Sequence, residues 1–126
     1  MPGLIPRRAA SLAWFSGPRG GAVIASFDVD TTRTGSDAVV RVIGELDVAS
    51  APRLQDELVD LVQHGVRAVT VDLAQLDFID STGLTVLVGG LKRLREQGGD
   101  LILRSLNPNA MKVFEITGLT KVFAIT

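Results

Sequence analysis

With 126 residues and a net charge of −1, the chain is sized for one domain with its own core, and it lacks the basic field that holds nucleic acid or an anionic membrane. Hydrophobic residues at 46% and charged residues at 21% exclude wholesale disorder, and no apolar run nears the ~20 residues of a bilayer span. Cysteine is absent and His64 is the single histidine, which excludes disulfide frameworks, thiol catalysis and zinc-thiolate or histidine-rich metal sites.

Residues 1–22 carry Arg7, Arg8 and Arg19 and no acid, a charge of +3, while the remainder carries −4. The same stretch holds Pro2, Pro6 and Pro18 and four glycines, so residues 1–25 are expected to be a mobile tail. Arg7-Arg8 precede an apolar stretch, Ala9–Phe15, that is shorter than an export signal requires. A cytoplasmic protein is therefore expected. Beyond the tail, Ala25–Thr31 has weak strand character, and Ala38–Gly44 is a β-branched run that predicts a strand. Over Val48–His64, the residues Val48, Ala51, Leu54, Leu58, Leu61 and Val62 fall near one helical face. Asp47 or Ser50 can cap that helix, Pro52 is tolerated in its first turn, and Gly65 suits the positive φ of a C′ residue. His64, with Arg53, Asp56 and Asp60, is expected on the solvated side.

Arg67–Leu73 reads as a strand buried on both faces, since it shows no alternation. Leu84, Leu87, Val88, Leu91 and Leu94 give the strongest helical period in the chain, ended by Gly98-Gly99. Leu101–Leu103 predicts a short buried strand. Asn107 followed by Pro108 predicts an N-cap and N1 pair for a helix that Gly118 ends, and Val122–Ile125 predicts a last strand. The order ββαβαβαβ implies an α/β fold with a largely parallel sheet and an antiparallel edge strand.

Enzyme chemistry finds little support. The only histidine lies at a helix end, no Gly-x-Ser-x-Gly elbow is present, and neither nucleotide-binding glycine loop follows a strand. Carboxylates are spread singly, without a liganding cluster. No catalytic residue, metal or cofactor is expected.

The segment that stands out runs from Val69 to Leu84: a buried strand leads through a short loop to Asp80-Ser81-Thr82-Gly83 at the start of the strongest helix. Ser81 reads as the N-cap, accepting a first-turn N–H, with Asp80 favoured by the positive helix end. On that reading, removal of the Ser81 hydroxyl costs ~1 kcal/mol. An exposed hydroxyl at a helix N-terminus is also a good phosphoacceptor, and the two roles are compatible. Gly83 within the first turn costs ~1 kcal/mol of helix propensity. Either a partner's close approach or close packing of the helix on the sheet would explain it.

Gly44-Glu45-Leu46-Asp47, then Phe78–Leu84, then Gly98-Gly99, then Thr117-Gly118-Leu119, in this order and spacing, resemble the STAS domain, and within it the bacterial anti-sigma factor antagonists. The resemblance covers about residues 26–126. It implies a mixed, largely parallel sheet with helices packed largely on one face. It also implies partner switching. The unphosphorylated antagonist binds an anti-sigma factor, usually a serine kinase, and frees the sigma factor; the kinase phosphorylates the serine after the aspartate, and a metal-dependent serine phosphatase reverses this. Carried over by motif position, Ser81 is the phosphoacceptor, Asp47 and Asp80 flank it, and Thr82 and Gly83 help form the binding surface. ATP, Mg²⁺ and the catalytic base then belong to the kinase, with no direct nucleic-acid or membrane contact by this chain. A stressosome-type scaffold and an accessory subunit of a lipid transporter are the alternative uses of the same domain. Many relatives carry a further helix after the last strand. The groove under it is expected to be open, with Leu12, Trp14 and Phe15 of the tail as the competing plug, although residues 1–22 are expected to be dispensable.

Overall fold

The computed structural model describes residues 27–126. Its elements are β1 (Phe27–Thr34), β2 (Asp37–Leu46), α1 (Ala51–Gln63), β3 (Ala68–Asp72), β4 (Leu76–Ile79), α2 (Ser81–Glu96), β5 (Asp100–Arg104), α3 (Pro108–Ile116), a 3-10 turn (Leu119–Lys121) and β6 (Ala124–Ile125). The strand order is β1-β2-β3-β5-β6, with β1 antiparallel to β2 and the other pairs parallel. β4 pairs with the far end of β2, beyond the reach of β3.

The connections β2–α1–β3, β3–α2–β5 and β5–α3–β6 all step the same way across the sheet. Right-handed crossovers then put all three helices on one face. The core confirms it. Ala38, Val40, Val42 and Leu46 of β2, Val69 and Val71 of β3, and Leu101 and Leu103 of β5 form one buried cluster with Leu54, Leu58 and Leu61 of α1 and Leu84, Leu87, Leu91 and Leu94 of α2. α3 adds Ala110 and Phe114, and Phe114 meets Phe123 edge-on at 5.9 Å between ring centroids. The expected α/β architecture, largely parallel with an antiparallel edge and helices on one face, is thus observed. No helix among the described residues is long and apolar enough to cross a membrane.

Several local expectations are corrected. The strand over Arg67–Leu73 is not buried on both faces: Val69 and Val71 are buried, whereas Thr70 and Asp72 lie on the helix-free face and are partly exposed. The stretch before α2, expected as a loop, contains β4. The first helix begins at Ala51, and Val48 stands outside it, 68% exposed rather than on its buried face. Gly65 takes φ 92° after that helix, as anticipated. The last strand shrinks to Ala124–Ile125, because a 3-10 turn occupies Leu119–Lys121 after the left-handed Gly118. Arg53 is not merely solvated: it pairs with Asp28 at 3.5 Å and lies over the Phe27 ring. His64 is exposed, with Nδ1 2.8 Å from the Asp60 carbonyl. Ala25 and the tail, with Leu12, Trp14 and Phe15, lie outside the described residues.

The helix-free face carries a row of alternating charge in one register: Asp30, Arg41, Asp72 and Arg104 on adjacent strands β1, β2, β3 and β5. Arg41 is 3.7 Å from Asp30, and Arg104 is 3.0 Å from Asp72. Burial by itself raises the pKa of Asp72, but the Ala74 N–H, the Arg104 hydrogen bond and the charges of Arg104 and Arg41 outweigh it and hold the carboxyl below its ordinary range. A carboxyl depressed in the folded state contributes stability above its unfolded pKa of about 3.9 and loses it as pH falls through the folded value. Asp72→Asn is therefore expected to destabilise at pH 6, and its gap to wild type to be smaller at pH 3, below the unfolded pKa, in urea titrations. A gap that persists unchanged at pH 3 would contradict this.

Candidate functional site

Two chain segments are stitched side by side at the C-terminal ends of β2 and β4. Glu45 and Leu46 pair with Phe78 and Ile79, and the Asp80 N–H donates to the Leu46 carbonyl at 3.1 Å. The chain leaves β2 into the loop bearing Asp47, and leaves β4 directly into α2.

The Asp47 carboxylate closes its own loop. Its Oδ1 accepts the N–H groups of Ala49 at 3.0 Å and Ser50 at 3.1 Å. Ser50 occupies the N-cap position of α1 without a side-chain cap; its hydroxyl instead donates to the Glu45 carbonyl at 2.7 Å and accepts the Asp47 N–H at 2.9 Å. Asp47 therefore fixes the loop's shape beside the start of α2.

The start of α2 departs from expectation by one residue. Asp80, in extended backbone, is the N-cap, and its Oδ1 accepts from the N–H of Thr82 at 2.9 Å and of Gly83 at 3.1 Å. Ser81 is the first helical residue and does not cap. Its side chain is exposed, while its carbonyl accepts from the Thr85 hydroxyl at 2.9 Å. Removing the Ser81 hydroxyl thus removes no cap, and the expected loss of ~1 kcal/mol does not apply. Two first-turn N–H groups are already taken by Asp80, so an anion on Ser81 would gain mainly from the helix dipole.

Asp47, Asp80, Ser81 and Thr82 are brought together at this junction. Gly83 is buried beneath them: an added Cβ would lie 2.7 Å from Leu46 Cγ and 3.0 Å from Ile79 Cγ1. Close approach of α2 to the sheet therefore accounts for this glycine. Sequence reasoning passed over two apolar side chains that border the junction, Val48 and Phe78 at 68% and 51% exposure. Phe78 was visible within the motif, but its exposure is a property of the folded chain and not of the motif.

Among the described residues no group of three or more His, Asp or Glu is placed to hold a metal ion. The arrangement offers an exposed serine on a capped helix start. Beside it, the Asp80 Oδ1 is committed to backbone N–H groups.

Comparison with known proteins addresses the family and the fold. Residues 28–126 match the family model described as STAS domain. An anti-sigma-B factor antagonist of Bacillus subtilis (strain 168) is 38% identical over 101 residues, covering 80% of this chain and 92% of that relative. An anti-sigma factor antagonist from Mycobacterium paratuberculosis superimposes with a TM-score of 0.73 at 26% identity, over 82% of this chain and 87% of the other. The phosphorylated form of the Bacillus cell fate determinant SpoIIAA superimposes with a TM-score of 0.64 at 25% identity, over 80% of this chain and 91% of the other.

Proposed function

The chain belongs to the STAS domain family, and from that premise we propose that it is an anti-sigma factor antagonist switched at Ser81. In its unphosphorylated form it binds an anti-sigma factor and so releases the sigma factor. The anti-sigma factor is a serine kinase that transfers a phosphoryl group from ATP to the Ser81 hydroxyl, and a serine phosphatase restores the free hydroxyl. The observation that carries this reading is the position of Ser81: exposed, first in the helix, and relieved of capping by Asp80. A hydroxyl used as a cap is held in a hydrogen bond. This one is exposed and so available to a kinase active site, next to the Asp80 cap.

The chain supplies the acceptor and the surface; the kinase supplies the base, Mg²⁺ and ATP. Phosphate adds about −1.5 to −2 charge. At the first position of α2 the helix dipole favours that charge, while the Asp80 carboxylate opposes it, so the antagonist's own fold is little changed.

Incubation with the cognate anti-sigma kinase and Mg-ATP is expected to place one phosphate on Ser81, located by fragment mass spectrometry. Phosphate on Thr82, Thr85 or Ser105 instead would overturn the assignment. Thr85 is a discriminating competitor, since its hydroxyl is nearby but already donates to the Ser81 carbonyl.

A further inference from the structure

We propose that Val48 and Phe78 are the apolar anchors of the surface that receives the anti-sigma factor, so that its footprint spreads from Ser81 across the ends of β2 and β4. This rests on the antagonist reading above and adds to it where the partner sits and what it presents.

Four large apolar side chains stand out as exposed among the described residues: Val48, Phe78, Ile116 and Val122. Neither Val48 nor Phe78 belongs to the core cluster or packs against it from the side. Both nevertheless belong to the junction that carries Ser81. Val48 follows Leu46 by two residues, and the Leu46 carbonyl holds the Asp80 N–H. Phe78 precedes Ser81 by three residues and pairs in register with Glu45. A half-exposed phenylalanine gives little to a domain that folds without burying it. It gives much to a contact that covers it, because aromatic and aliphatic anchors near an interface centre carry most of its energy.

The surroundings define the partner's chemistry. Residues 44–49 and 76–83 contain Glu45, Asp47, Asp77 and Asp80 and no basic residue. A complementary face is therefore apolar at its centre, with basic groups at its rim. Among the described residues a groove of about 180 Å³ lies between α1 and α2, lined by Gln55, Thr85, Gly89 and Arg93 among others. Its one charged lining residue is the basic Arg93, whereas the junction is acidic, and from Thr85, about one turn beyond Ser81, it runs away from the junction to Arg93, about three turns beyond. The footprint is assigned to the junction and not to this groove.

Titration calorimetry with the purified cognate anti-sigma kinase tests this. Val48→Ser and Phe78→Ser are each expected to weaken binding by about tenfold or more, with melting temperatures near that of wild type. Phe78→Leu, which keeps apolar bulk, should retain most of the affinity. Ile116→Ser and Arg93→Ala, outside the footprint, should bind within about twofold of wild type. If wild type binds but Val48→Ser and Phe78→Ser bind equally well, the footprint is wrong and the antagonist reading stands. The footprint is equally wrong if Arg93→Ala or Ile116→Ser loses as much affinity as they do. If wild type binds no anti-sigma kinase, the antagonist reading itself fails, and the footprint with it.

Discussion

Ser81→Asp is expected to lower affinity for the anti-sigma factor by about three orders of magnitude while leaving the domain folded. Ser81 is exposed in the free chain, so an added carboxylate there stays hydrated. The first position of a helix favours negative charge by about 0.3–1 kcal/mol, which offsets repulsion from Asp80. The same charge at the centre of a contact loses its water, and an uncompensated buried charge costs several kcal/mol. A difference of ~4 kcal/mol is a factor of ~10³ in affinity, enough for a switch that needs no change of fold. Ser81→Ala should bind like wild type and ignore the kinase. Because Asp80 makes the cap, its stability should lie within about 0.5 kcal/mol of wild type. Calorimetry for binding and urea titration for stability separate the two effects. Wild-type affinity for Ser81→Asp would refute the argument from interfacial charge, and a clear stability loss in Ser81→Ala would refute the assignment of the cap.

That assignment shows how far the sequence could be read. Asp80 and Ser81 are adjacent and both are good caps, so composition cannot choose between them. The choice is made by where β4 ends: Ile79 pairs with Leu46 and the Asp80 N–H bonds to the Leu46 carbonyl, so Asp80 is the cap and the helix begins at Ser81. β4 itself was illegible because it is four residues long, buries only Leu76 and Ile79, and depends on a non-local pairing with β2 across a register shift. Val48 continues the helical period of Ala51, Leu54 and Leu58, yet the Asp47 carboxylate binds the N–H groups of Ala49 and Ser50 and turns the chain before the helix starts. The run Val69-Thr70-Val71 does not state how many of its faces are covered. That follows from three crossovers of one hand stepping in one direction, a property of the whole sheet. The long helices were legible because each carries several buried leucines at helical spacing.

Gly83→Val is expected to destabilise the domain by about 3 kcal/mol, at the upper end for overpacking a filled core. The new Cβ would start 2.7 Å from Leu46 Cγ and 2.9 Å from Leu46 Cδ2, with Ile79 Cγ1 at 3.0 Å. Leu46 is fully buried and Ile79 nearly so, which leaves neither side chain much room to turn away. Gly83→Ala meets the same atoms, but its clash is partly offset by ~1 kcal/mol of recovered helix propensity, so its loss should be smaller. At ~4–8 °C per kcal/mol for a domain of this size, the valine variant should melt well over 10 °C lower. A double-mutant cycle identifies the obstacle. Leu46→Ala alone should cost ~2–5 kcal/mol as a cavity, but combined with Gly83→Val the loss should fall short of the sum, because the valine enters the space that Leu46 vacates. Strict additivity would mean that Leu46 is not what requires a glycine. The alternative, that the glycine serves a partner's approach, predicts a different pattern. Gly83→Ala would then keep its stability and lose its affinity for the anti-sigma factor, whereas burial of Gly83 beneath Ser81 requires the loss in stability and leaves the affinity of the folded variant close to wild type.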